Sequence, residues 1–299
     1  MDAAGWVLTC DPGVDDAVAL AVAAGRSDAR LAAVVAGAGN VDALTAWRNA
    51  AGMVELAGVD VPVGLGSAAA VDGSAIHRDG SAHGSDGLAG LAGRLPPADA
   101  RASVPGRPLV QGDIVATGPL TDVAIAVRSG QPVDRVVWLG GTSADLAGPA
   151  DPPAAPAGSS ARGPEFNASA DPEAVNSVAA APAPLSIVPL DLSRRVVLGP
   201  DAVDRWATGA TPARFCADLV TARHGPAGGS LPDPVAVVAA LEPRLFRWAP
   251  RLLRCATEGR HPRGTLLADD GAAGAVRVAV EVDAVAVRDR IVDAVMSLT

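Results

Sequence analysis

Trp6-Val-Leu-Thr-Cys-Asp-Pro-Gly-Val-Asp-Asp-Ala-Val-Ala-Leu-Ala-Val-Ala-Ala24 is the stretch on which the reading of this chain turns. Trp6 to Leu8 reads as a short buried strand, Pro12-Gly13 as a turn, and Asp16 to Ala24 as the start of an apolar helix. The bend carries three carboxylates, Asp11, Asp15 and Asp16, at spacings i, i+4 and i+5. Carboxylates this close stay ionised together only if a cation or a shared proton offsets their repulsion. An all-oxygen set suits a hard cation, calcium or magnesium. A plainer reading is equally open: Pro12-Gly13 is a turn, and Asp15 and Asp16 complement the positive end of the helix dipole.

Outward from this turn, short β-branched runs alternate with Ala-rich helical stretches. Strands are expected at Leu31–Ala36, Val61–Gly64, Asp113–Ala116, Val133–Leu139 and Leu185–Val188. Helices are expected at Val41–Ala57, Leu120–Val127 and Pro172–Ala180. This alternation predicts an α/β fold, a mostly parallel sheet flanked by helices in a single domain over 1–299. In open α/β sheets ligands bind beyond the carboxyl ends of the strands, where the Asp11, Gly39-Asn40 and Thr117-Gly118 turns all fall. Residues 72–87 and 142–164 read as flexible loops, and 92–108 as a Pro- and Arg-rich one.

Composition narrows the function classes. The chain has 299 residues, 49% of them apolar, enough for a large core. Tyrosine is absent and aromatics make up 3%, so Ala, Val and Leu must fill that core. A net charge of −9, with arginine as the basic residue throughout, argues against a nucleic-acid partner. Cys10, Cys216 and Cys255 are too scattered for a disulfide framework or a zinc cluster. The sequence near Met1 lacks a signal-peptide pattern and no long apolar run suggests a membrane span, so a cytoplasmic protein is expected.

Taken together, the motifs resemble those of the inosine-uridine-preferring nucleoside hydrolase family over almost the whole chain. They begin with Cys10-Asp-Pro-Gly-Val-Asp-Asp-Ala17, then Gly39-Asn-Val41 with Arg48-Asn49, and Val61-Pro-Val-Gly64. His83-Gly-Ser-Asp-Gly-Leu88, Ala116-Thr-Gly-Pro-Leu-Thr121 and Glu165-Phe-Asn-Ala-Ser-Ala-Asp-Pro-Glu-Ala174 follow. Pro189-Leu-Asp191, Asp233-Pro-Val-Ala236, Glu242-Pro243 and Arg263-Gly264 complete the series. The resemblance implies hydrolysis of a ribonucleoside to ribose and free base around a calcium ion. Asp11, Asp16, Asp233 and the Thr117 carbonyl would then hold the ion, with Asp11 as general base on a calcium-bound water. Asp15, Asn40, Glu165 and Asn167 would hold the ribose hydroxyls. The family also implies a homodimer or homotetramer. Singly, each residue has a plainer role: Asn40 in a turn, Asp233 as the N-cap of a helix from Pro234, Glu165 as a solvated charge.

Three positions depart from the family pattern. Thr9 stands where an aspartate supporting the metal ligands is usual, and Pro232 where a histidine often assists the leaving base. Gly158 to Pro164 lacks a ribose-contacting asparagine, leaving Ser159 or Ser160 as weak substitutes. Tyrosines that activate the base in some members cannot exist here. His83 and His224 are the candidate leaving-group acids, ahead of His77 and His261. Two alternatives follow: a hydrolase of a modified nucleoside or other N-glycoside in specialised metabolism, and a nucleoside- or ribose-binding homologue without turnover. An aspartyl-nucleophile phosphatase is excluded because its nucleophile position is Thr9.

Overall fold

Alternation along the first strand sets the layering. In the computed structural model, which describes residues 5–77, 82–97, 109–146, 164–270 and 276–299, Trp6, Leu8 and Cys10 join one apolar core while Val7 joins another. In chain order the amino-terminal half contains β1 (Trp6–Cys10), α1 (Val14–Gly25), β2 (Leu31–Ala36), α2 (Ala43–Leu56), β3 (Val63–Leu65), β4 (Gly112–Ala116), α3 (Thr121–Arg128) and β5 (Val133–Leu139). Then come α4 (Ser143–Leu146), α5 (Phe166–Ala170), α6 (Pro172–Ala179), β6 (Leu185–Val188), α7 (Leu190–Ser193), β7 (Val197–Leu198), α8 (Pro200–Ala207) and α9 (Thr211–His224). The last elements are β8 (Gly229–Ser230), α10 (Pro232–Leu241), β9 (Phe246–Cys255), β10 (Leu266–Asp270), β11 (Val276–Val282) and α11 (Ala284–Met296).

Among the described residues, nine strands form one sheet in the order β10-β9-β11-β6-β5-β4-β1-β2-β3. The run β3-β2-β1-β4-β5-β6 is parallel, the doubly wound order whose direction reverses between β1 and β4. Strands β1 and β4 are hydrogen-bonded neighbours, and each leads into a loop at its carboxyl end: Asp11 after one, Thr117 after the other. The larger core packs α1, α2 and α8–α11 on one face, and α3 and α6 cover the opposite face. Helices α1 and α10 are buried on nearly every side, which their Ala- and Val-rich sequences permit.

The expected strands at Leu31–Ala36, Val133–Leu139 and Leu185–Val188 appear with those bounds, and the remaining expected elements shift by a few residues. Strand β1 continues to Cys10 because Thr9 and Cys10 extend the ladder with Val35 and Ala36. Strand β3 starts at Val63 rather than Val61, since Pro62 offers only its carbonyl, which accepts from the Val34 N–H. The antiparallel pairs β11–β9 and β9–β10 extend the sheet beyond the expected alternation. No helix among the described residues is long and apolar enough to cross a membrane.

Asp171 ties three segments beneath the sheet edge of the cleft. Fully buried, it caps α6 through the Ala174 N–H at 3.0 Å and accepts from the Val71 N–H at 2.8 Å and Thr121 Oγ1 at 2.7 Å. Replacing it with Ala removes a cap and leaves the buried Thr121 hydroxyl and the half-buried Val71 N–H without their acceptor. Asp171→Ala is expected to lower unfolding free energy by about 2–4 kcal/mol, read as a reduced urea midpoint.

Candidate active site

Two buried helices deliver carboxylates to one point. Asp15 and Asp16 lie in the first turn of α1, and Asp233 in the first turn of α10, where helix dipoles favour negative charge. One oxygen from each of these three residues falls within 4.8 Å of the others. Asp11, on the β1 turn, is not one of the three but stands beside them, its N–H 3.4 Å from Asp16 Oδ1; the four are 1% (Asp11), 7% (Asp15), 0% (Asp16) and 4% (Asp233) exposed. The N-cap alternative for Asp233 is corrected: α10 begins at Pro232, so Asp233 is its second residue, and Leu231 is the cap.

Each carboxylate is positioned by named donors. Asp16 accepts from the Gly13 N–H at 3.0 Å, Asn40 Nδ2 at 3.2 Å and Thr117 Oγ1 at 2.7 Å. Asp11 Oδ2 accepts from the Asn40 N–H at 2.7 Å. The carboxylate of Asp11 fits between the β2 and β4 loops because Gly39 and Gly118 present no Cβ to it. Asp11 Oδ1 and Asp15 Oδ1 are buried with no hydrogen-bond donor among the described residues.

The asparagines expected to hold sugar are locked in orientation. Asn40 Nδ2 donates to the Asp11 carbonyl and to Asp16, both at 3.2 Å. Asn167 Nδ2 donates to the Thr117 carbonyl at 2.7 Å and the Leu139 carbonyl at 3.0 Å. With the amide hydrogens committed, each side chain has only its Oδ1 left, a pure acceptor. Glu165 is no solvated charge: it caps α5, taking the N–H groups of Gly141, Asn167 and Ala168 at 2.9–3.0 Å. Thus Asp15, Asn40, Glu165 and Asn167 together line a cavity of about 590 Å³ with acceptors. Such a surface suits hydroxyl donors and cations and repels anions. Neither Asp11 nor Asp16 is among the residues lining the cavity, whereas Asp15 and Asp233 are.

Pro232, Arg223, His224 and His83 also line the cavity, and Phe166 is the aromatic residue among the described lining. His83 is fixed: its Nδ1 accepts from the Val14 N–H at 3.0 Å and lies 3.5 Å from Asp15 Oδ1. Arg223 holds the loop beside it, donating to the Ala82 carbonyl at 3.1 Å while standing 3.9 Å from Asp15 Oδ1. His77 and His261 do not line this cavity, and Ser159 and Ser160 lie outside the described residues, as do most of 142–164 and the middle of 72–87. Thr9 is buried in β1 with its hydroxyl unpartnered, while its carbonyl accepts from the Thr117 N–H. Arg223 was not anticipated from sequence; an arginine late in a helix reads as a solvated charge, and only its long-range contacts reveal it.

Burial is the leading cause that raises the pKa of Asp11, Asp16 and Asp233, followed by repulsion: from Asp16 on Asp11, and from Asp15 on Asp16 and on Asp233. Backbone donors, from Asn40 to Asp11 and from Gly13 to Asp16, oppose the shift without cancelling it. The buried, donorless oxygens of Asp11 and Asp15, together with the three-carboxylate cluster, fit a hard metal ion.

Sequence comparison matches residues 6–289 to the family described as inosine-uridine preferring nucleoside hydrolase. A pyrimidine-specific ribonucleoside hydrolase, RihA, of Enterobacter sp. (strain 638) is 30% identical over 285 residues, covering 88% of this chain and 87% of that protein. Uridine nucleosidase 1 of Arabidopsis thaliana is 28% identical over 282 residues, covering 85% of this chain and 78% of its own. Among solved structures, the plant nucleoside hydrolase PpNRh1 superposes with a TM-score of 0.80 at 25% identity, over 98% of this chain and 99% of that one.

The electrostatics give a signed expectation for the metal-free protein. An aspartate whose folded pKa is raised contributes stability that is full below its unfolded value of about 4 and is lost as pH rises through the folded value. With Asp11, Asp16 and Asp233 all raised, the thermal midpoint of metal-free protein should fall as pH rises from mildly acidic to neutral. Saturating calcium should remove or invert that slope, measured by scanning calorimetry across pH in chelator and in calcium.

Proposed function

Because the chain belongs to the inosine-uridine preferring nucleoside hydrolase family, we propose that it cleaves the N-glycosidic bond of a ribonucleoside around a calcium ion at the buried cluster of Asp15, Asp16 and Asp233, with Asp11, Asp16, Asp233 and the Thr117 carbonyl as the ligands that the family resemblance implies. Enzymes of this family hydrolyse nucleosides, and here residues 1–299 act as one catalytic unit whose two cores support a single cleft. The observation that carries the site reading is the pair of buried, donorless oxygens on Asp11 and Asp15 beside the acidic cluster. Calcium, when bound there, offsets the carboxylate charge and acidifies the water it holds.

Asp11 takes the proton of the attacking water at Oδ1, the oxygen with no hydrogen-bond donor among the described residues. Its position between Gly39 and Gly118 leaves it little freedom, so the base is fixed before substrate arrives. Asp15, Asn40 and Asn167 accept hydrogen bonds from the ribose hydroxyls, and Glu165 contributes its remaining acceptor capacity while setting the turn that aims Asn167. As the C1′–N bond stretches, positive charge builds on the ribosyl ring. The acceptor-rich wall stabilises that charge more than it stabilises neutral ribose, which is the condition for catalysis. The relatives named pyrimidine-specific and uridine-cleaving make a pyrimidine nucleoside the first substrate to assay.

Purified protein with calcium, incubated with a nucleoside panel and assayed for reducing sugar, should release ribose. Asp11→Asn should lower kcat by about 10²–10⁴-fold, the range of a lost general base. Chelation should abolish turnover and added calcium restore it. No ribose from any nucleoside, or full activity after chelation, overturns the reading.

A further inference from the structure

N-glycosidic cleavage leaves an electron pair on the departing base nitrogen, and a donor near it lowers the barrier. Pro232 supplies none, and as the first residue of α10 its missing N–H costs nothing there. Two histidines line the cavity. His83 has its Nδ1 committed to the Val14 N–H and presses against Asp15 and Arg223, which makes it part of the support of the α1 turn. His224 differs: it is half-buried, lines the cavity, and its Nε2 is buried without a hydrogen-bond partner among the described residues.

Resting on the nucleoside hydrolase reading above, we propose that His224 is the catalytic acid that donates from Nε2 to the departing base. As the C1′–N bond breaks, its electron pair passes to the base, and the base nitrogen or a conjugated ring atom takes the Nε2 proton. The water oxygen bonds to C1′, Asp11 receives the water's proton, and solvent reprotonates His224. The ring is placed by the short β7–β8 ribbon. It lies so close to Gly229 in β8 that a Cβ there would overlap Nδ1 and the ring carbons. Gly229 is therefore a positioning residue. His224 also ends α9, where carbonyl groups favour a protonated side chain. The charged groups facing it are Arg223 from α9, Asp15 from α1 and His83 from the loop after β3; burial and Arg223 hold its pKa below the ordinary histidine value.

Two substrates separate this role from packing. Uridine needs help to lose its base, whereas para-nitrophenyl β-riboside carries a leaving group that departs as a stable anion. His224→Ala should lower kcat/KM on uridine by about 10²-fold and leave the nitrophenyl riboside unaffected. Gly229→Ala should reproduce part of that selective loss, and His83→Ala should affect both substrates alike. The wild-type profile on uridine should decline as pH rises, through a limb that starts below the usual histidine range and is missing in His224→Ala. Equal losses on both substrates, or no loss on either, overturn the assignment. So does wild-type activity confined to the nitrophenyl riboside, while no wild-type turnover of either substrate sinks the hydrolase reading itself.

Discussion

Four carboxylates share a floor from which water is nearly excluded, and much of the surrounding architecture keeps that costly arrangement in place. Desolvation and mutual repulsion both act against it. The counterweights are local and specific: two helix amino termini, the Gly13, Asn40 and Thr117 donors, and loop glycines that make room for Asp11. Helices α1 and α10 can meet at this floor because their buried faces are built of Ala and Val. Larger side chains would hold them apart and separate Asp233 from Asp15 and Asp16.

Acceptors and donors are interleaved in the cleft rather than sorted to its two sides. The unclaimed polar atoms of Asp15, Asn40 and Asn167 are acceptors. Beside them, His83 Nδ1 stands 3.5 Å and the Arg223 guanidinium 3.9 Å from Asp15 Oδ1. Carboxylate and locked amide oxygens accept and do not donate, so recognition by these groups rests on hydroxyl hydrogens. Being fixed before substrate arrives, they need no reorganisation when the bond breaks.

Much of this was legible in the sequence because the signals were local. The Asp11–Asp16 run concentrates charge within one turn, and the β-branched runs of β2, β5 and β6 are bounded clearly by Gly, Pro or polar residues. The far edge of the sheet was not legible. Strand β9 carries Pro250 mid-strand and arginines at intervals, a pattern that makes sense only once β10 and β11 flank it. Pro232 also reads differently in place: a lost histidine in the motif is, structurally, a sound first residue for α10. Arg223 and Gly229 gave no local signal. What distinguishes them is what they touch from distant parts of the chain, the 82–83 loop and the His224 ring.

The floor is assembled from the two ends of the sequence, with Asp11, Asp15 and Asp16 contributed early and Asp233 late. Loop-closure entropy must be overcome before α10 can dock on α1, and contacts of such long sequence separation form slowly. A chain still emerging from the ribosome therefore carries the β1 turn without its partner and has no complete acidic cluster to offer a cation. Ion capture becomes possible only when the topology has closed, so an ion that binds the native floor would slow its reopening and lengthen the lifetime of the finished fold.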